Sequence, residues 1–136
     1  MEQKRKVFFI SPVRQTPPPY VQLRIGTYVW GLEAQGYAVH WPVRDTKQDA
    51  PALDICLQNA QALREADEVH IWYDAASQGS IFDLGAAVMS LLVVGPPKQF
   101  IIANPDGVKP TSGKSIPNLV LALVAESKAR CNRWRV

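Results

Sequence analysis

Two cysteines in 136 residues are too few for a disulfide framework, and neither Cys56 nor Cys131 has a second Cys or a His at metal-ligand spacing. Both are expected to be free thiols, and no metal site is expected. Long apolar runs are also missing. The longest, from Ala86 to Gly95, is about half of the roughly 20 residues that a membrane-spanning helix needs, and Ser90 interrupts it. Near the start, Val7 to Ile10 is too short for the core of a secretory signal, so a cytoplasmic location is expected. There is no GxGxxG fingerprint. Gly113-Lys114-Ser115 lacks the glycine five residues before Gly113 that a phosphate-binding P-loop requires. The two histidines, His40 and His70, lie in separate strand-like runs and read as structural.

Excess charge of one sign is lacking in the body of the chain. The net charge is +3, but residues 1–6 and 126–136 hold seven Lys/Arg against two Glu, leaving eight basic and ten acidic residues elsewhere. A face built to follow phosphates along a nucleic acid would show the opposite balance. The basic ends, 1–5 and 128–136, are expected to be solvated tails, with Lys128, Arg130, Arg133 and Arg135 in the second. With 47% hydrophobic and 20% charged residues, the composition is that of a folded chain, and 136 residues suit one domain.

The order of the elements is readable. Lys6 to Ile10 is β-rich and ends at Ser11-Pro12, as a buried strand bounded by a turn. Pro17 to Pro19 bar regular structure until Tyr20, beyond which Val21, Ile25, Tyr28, Val29 and Leu32 recur at helical spacing. Gly36 stands where a C-terminal cap glycine belongs, and Tyr37 to Trp41 reads as a second strand stopped by Pro42. Residues 43–51 read as polar loop. A helix is expected from Pro51 to Glu65 with Leu53, Cys56, Ala60 and Leu63 inward. A third strand covers Glu68 to Tyr73, a helix runs from about Ser80 to Leu92, and a fourth strand covers Gln99 to Ala103. After a loop from Asn104 to Ser115, Ile116 to Arg130 can form a last helix, although Leu119 to Val124 also fits a short strand.

Alternating strands and helices imply an open, mostly parallel sheet covered on both faces. Such sheets bind ligands beyond the carboxyl ends of their strands, here residues 11–19, 41–49, 74–83 and 104–115. The richest of these loops leads from Tyr73 and Asp74 through small residues to Gly79, Ser80 and Asp83. Amides freed at Gly79 and Ser80, with the helix dipole behind them, suit a phosphate or carboxylate, and the Ser77 and Ser80 hydroxyls can add donors. Asp83, expected in the first helical turn, can face the same cleft. Ser80-x-x-Asp83 is equally a capping box, and one acid can serve both ends. Trp41, Arg44 and Asp45, after the second strand, can stack on or select a base, or simply pack at the surface.

Gly79-Ser80-Ile81-Phe82-Asp83-Leu84-Gly85-Ala86-Ala87 resembles the G-x-x-x-E-L-G-x-A element of the nucleoside 2-deoxyribosyltransferase-like family, which includes the deoxynucleoside 5′-monophosphate N-glycosidases. The resemblance extends to Val7 to Arg14, to Tyr28 to Gly36, and to Asn59 to Val69, and stops near residue 104. It implies a flavodoxin-like α/β fold: three layers, with an open parallel sheet of four to five strands and helices on both faces. It also implies cleavage or transfer at the N-glycosidic bond of a nucleoside or nucleoside 5′-monophosphate, without a cofactor, by a homodimer or higher homo-oligomer. In the family a Glu attacks the sugar C1′, and Asp83 takes its place. Substrate contacts fall on Ser11, Arg14, Asn59, Asp74, Ser77, Gly79 and Ser80, with Ser11 and Ser77 at the 5′-phosphate and Arg14 beside them. Ordinary turn chemistry is the alternative for the two serines. Two positions depart from the pattern. Asp reaches about 1.5 Å less far than Glu, and Asn59 stands where the family has an acid, so it can hold a hydroxyl or base edge but not move a proton. A non-catalytic nucleotide-binding module of the same fold is the alternative reading. A flavin carrier is disfavoured because Pro12 and Pro17 to Pro19 offer no amide donors after the first strand.

Overall fold

The computed structural model describes residues 3–12 and 17–135. Four parallel strands, β1 (Lys6–Ile10), β2 (Ala38–His40), β3 (Glu68–Ile71) and β4 (Gln99–Ile102), form one sheet in the order β2-β1-β3-β4. The helices are α1 (Pro19–Ala34), α2 (Pro42–Asp45), α3 (Ala52–Glu65), α4 (Gln78–Met89) and α5 (Ile116–Trp134). The fold is α/β and flavodoxin-like. Among the described residues, no helix is long and apolar enough to cross a membrane.

The register sorts the strand side chains onto two faces. Phe8, Val69 and Phe100 are aligned neighbours, so they share a face with Ile10 and Ile71. Leu63 of α3, Leu84 and Ala87 of α4, and Val120 and Leu123 of α5 complete that core. Phe9 points the other way and packs with Trp72 against Ile25 and Val29 of α1. Val7, Phe8, Phe9 and Ile10 are all essentially inaccessible, which is why the β1 run is continuous rather than alternating.

Local chemistry explains where the elements end. At the end of α1, Gly36 has φ +99°, the Gly36 amide donates to Glu33 O and the Tyr37 amide donates to Leu32 O. This paired closure is the one that glycine permits. β2 is shorter than expected because Tyr37 serves that closure and the Trp41 amide donates to Asp45 Oδ2 at 2.8 Å. Residues 42–45, read as loop, form α2, with Pro42 in its first turn. Beyond β3, the Tyr73 amide leaves the ladder to donate to Asn104 Oδ1 at 2.8 Å.

Expectations for three of the helices are corrected. In α3, Leu53 is 68% exposed and Ala60 is also exposed, while Asn59 and Leu63 face inward with half-buried Cys56. Apolar periodicity misplaced the face because one buried position is an amide that hydrogen bonding makes tolerable. α4 begins at Gln78, not Ser80. Its cap is Ser77, whose Oγ accepts from the Ser80 amide at 3.2 Å, so Asp83 falls in the second turn and is no cap. The last segment is a helix throughout, with no strand at Leu119 to Val124, and α5 continues through Trp134. Lys128, Arg130 and Arg133 are therefore helical, and Arg130 donates to Leu91 O at 2.7 Å.

Candidate functional site

The β3–α4 connection is built by its own side chains. Asp74 Oδ1 accepts from the Ala76 amide at 2.9 Å, and Asp74 O accepts from the Ser77 amide at 3.1 Å, a turn that delivers Ser77 to the cap position. Ser77 Oγ then accepts from the Ser80 amide and donates to Ser80 Oγ at 2.9 Å. Asp74, Ser77 and Ser80, expected as substrate contacts, thus spend hydrogen bonds on forming the turn. Gln78 and Gly79 hold first-turn amides that lack partners within the helix, and both residues are exposed.

The start of α4, the first half of α3 and the segment after α2 enclose a cavity of about 370 Å³. Asn59 and Asp83 line it, with Ser77 and Gly79 at the cap end. Gln48, Cys56 and Phe82 also line it. Phe82 is 59% exposed, an aromatic face available for stacking. Asn59, Ser77, Gly79 and Asp83 are therefore brought together. Ser11 lies apart from this lining: it is buried at the end of β1, where its Oγ accepts from Trp41 Nε1 at 3.0 Å. Arg14 lies outside the described residues.

Asp83 is the charged centre of the cavity. It is 8% exposed, and burial pushes its carboxyl up to about 6, against a smaller downward pull from hydrogen bonding with the Asn59 side chain. Most of the group is still ionised at neutral pH, as an anion with little solvation. It is the only acid among the described residues lining the cavity. No group of three His, Cys, Asp or Glu among the described residues is arranged to hold a metal ion.

Behind Asn59 stands a set of partners that sequence reasoning missed. Thr46, 5% exposed, donates from Oγ1 to Asn59 Oδ1 at 2.6 Å, and His40 Nε2 lies 2.9 Å from the same Thr46 oxygen. Arg44 and Asp45 clamp this segment rather than offering themselves to a base. Arg44 reaches Asp45 Oδ1 at 2.8 Å, Glu33 Oε1 at 2.7 Å and Val39 O at 3.1 Å. Trp41 is similarly engaged, with the Arg44 guanidinium 5.9 Å from its ring centre. The sequence marks Thr46 only as one polar residue in a polar stretch. Phe82 had a usable signal, since it directly precedes the acid.

Compared with models of known protein families and with curated protein sequences, the chain matches none. Among solved structures it is similar to the CMP N-glycosidase BcmB of Clostridium botulinum, at 19% identity over 72% of this chain and 67% of that one, with a TM-score of 0.47.

Proposed function

We propose that this chain cleaves, or transfers the sugar across, the N-glycosidic bond of a nucleoside or nucleoside 5′-monophosphate. The observation that carries this reading is the buried, poorly solvated Asp83 carboxylate beside Asn59 in a cavity of ligand size. As the base departs with the bonding electron pair, C1′ becomes cationic. A carboxylate already stripped of water gains more from that charge than from the neutral substrate, which is differential transition-state stabilisation. If its lone pair bonds to C1′, water or a second base then attacks C1′ and the carboxylate leaves. The departing base takes a proton from solvent, since no second acid among the described residues lines the cavity. Phe82 offers a stacking face for the base, and the amides of Gln78 and Gly79 suit the 5′-phosphate. An exposed apolar strip of Phe82, Met89 and Leu92 gives the homo-oligomer implied by the resemblance a surface on which to close.

The test is incubation with ribo- and deoxyribonucleosides and their 5′-monophosphates, with and without an acceptor base, and chromatography of the released or exchanged base. Release by the wild type, lowered at least 100-fold in Asp83→Ala, is expected. Nucleotide binding in a calorimeter with no release from any substrate would leave the non-catalytic module in its place.

A further inference from the structure

An amide side chain has two unlike ends, and Asn59 can present either one to Asp83. The neighbours decide. Asn59 Oδ1 only accepts, so the 2.6 Å contact from Thr46 Oγ1 makes the threonine the donor. The single Thr46 hydroxyl proton is then spent, and Thr46 Oγ1 must accept from His40 Nε2 at 2.9 Å. His40 therefore carries a proton on Nε2, whether the ring is neutral or charged. The direction of donation then runs from His40 to Thr46 and from Thr46 to Asn59, which leaves the Asn59 amide hydrogens for Asp83, its neighbour in the cavity lining. Turning the amide over would send the Thr46 proton to His40 instead and set the amide oxygen toward the Asp83 carboxylate, two acceptors with no proton between them once the acid is ionised.

We propose that Thr46 is a positioning residue for the Asp83 site, its hydroxyl oriented by His40 so that Asn59 presents its amide hydrogens to the ionised carboxylate. The assignment rests on the reading of Asp83 as the reacting carboxylate only for its effect on rate; its effect on Asp83 itself stands alone. The segment that carries Thr46 is built to hold still. Arg44 ties α2 to Glu33 of α1 and to Val39 of β2, and Gln48 Nε2 donates to Pro42 O at 2.8 Å. The Phe8 ring stacks on His40, with centroids 5.7 Å apart and planes 8° from parallel. Charge enters at the far end: Asp45 and Arg44 act on His40 in opposite senses. From α3, the neutral Asn59 is the side chain that acts on Asp83, and among the described residues no charged one does so.

The test is a carbon-detected NMR titration of the Asp83 carboxyl in the wild type, Thr46→Val and Thr46→Ser, with pH profiles of base release. Thr46→Val is expected to raise the Asp83 midpoint by about half a pH unit, which lowers the rate about threefold near pH 5.5 and leaves it close to wild type near pH 8.5. Thr46→Ser keeps the hydroxyl and should restore both. An unchanged Asp83 midpoint in a folded Thr46→Val overturns the proposal, with or without enzyme activity. A wild type that titrates as expected but releases no base sinks the proposed function while keeping the positioning role. If Thr46→Val does not fold, imidazole nitrogen–proton spectra of wild-type His40 still decide: a proton on Nε2 is required, and a neutral ring protonated only on Nδ1 overturns the chain.

Discussion

Asp83 holds a carboxylate where the surroundings favour the neutral acid, so its ionisation works against the fold. Its ordinary value is 3.8 and burial raises it to about 6. The folded state therefore binds more protons between those limits, and the stability present below the lower one is lost as pH rises through the upper one. The loss is on the order of 3 kcal/mol. Asp83→Asn keeps the shape without the charge. It is expected to raise stability by roughly 1–3 kcal/mol at pH 8 and to change it little at pH 4, as urea unfolding at the two pH values would show. A variant no more stable at pH 8 would mean that the anion is well solvated in the folded protein. At this scale the sequence was informative about the acid and about Asn59, because both belong to recognisable runs. It was silent on Thr46 and read His40 only as structural, because their part in the site is a contact across 13 positions and a direction of hydrogen bonding.

Among the elements, α4 shows what a local pattern leaves open. Ser77 and Ser80 are both hydroxyl residues before an apolar run, and either can cap. Asp74 decides, by folding the preceding turn so that Ser77 arrives at the cap and Ser80 becomes a partner inside the first turn. α5 depends on one side chain in another way. β4 is an edge strand, and its Phe100 amide donates to Ser127 Oγ at 3.0 Å, while Ser127 Oγ donates to Val124 O at 2.9 Å. The serine is completely buried, so the helix seals an edge that would otherwise invite pairing with another chain. Ser127→Ala would leave the Phe100 amide without a partner. A stability loss of about 1–3 kcal/mol is expected, together with faster hydrogen exchange at Phe100 than at its β3 neighbour Val69. Unchanged exchange at Phe100 would show that α5 covers the edge without this bond.

Across the whole molecule, the two faces of the sheet carry opposite polar burdens. The α3–α4 side holds the Asp83 site. Under α1, Tyr28 Oη lies 2.5 Å from His70 Nδ1, His70 Nε2 lies 3.0 Å from Glu68 Oε1, and Arg5 donates to Glu68 Oε2 at 2.9 Å. Burial pushes the Tyr28 phenol up to about 12 and lowers His70, against an upward pull from Glu68. His70 must gain a proton on unfolding below about pH 6.5, so its share of stability rises with pH through that window, the reverse of Asp83. The two slopes oppose each other in the wild type. In Asp83→Asn only the rising one remains, and unfolding free energy should climb from pH 5 to pH 7 more steeply than in the wild type. A profile parallel to the wild type would show that Asp83 ionises as easily in the folded protein as in the unfolded chain, and a variant whose stability does not climb over that range would show that His70 is charged in the folded protein.

The alternation of apolar runs with helical periods, the glycine after α1 and the small-residue turn before α4 are short-range signals, and short-range sterics are enough to set the strands, their parallel pairing and the loops at their carboxyl ends. The sequence by itself therefore determined the layered fold and the neighbourhood of the acid. Which face of α3 turns inward, which serine caps α4, which end of Asn59 meets Asp83 and how hard it is to charge that carboxylate were decided only by the tertiary structure. Each depends on desolvation and on donors contributed by segments around residues 40, 46, 59 and 83, and those terms exist only once the segments are packed together.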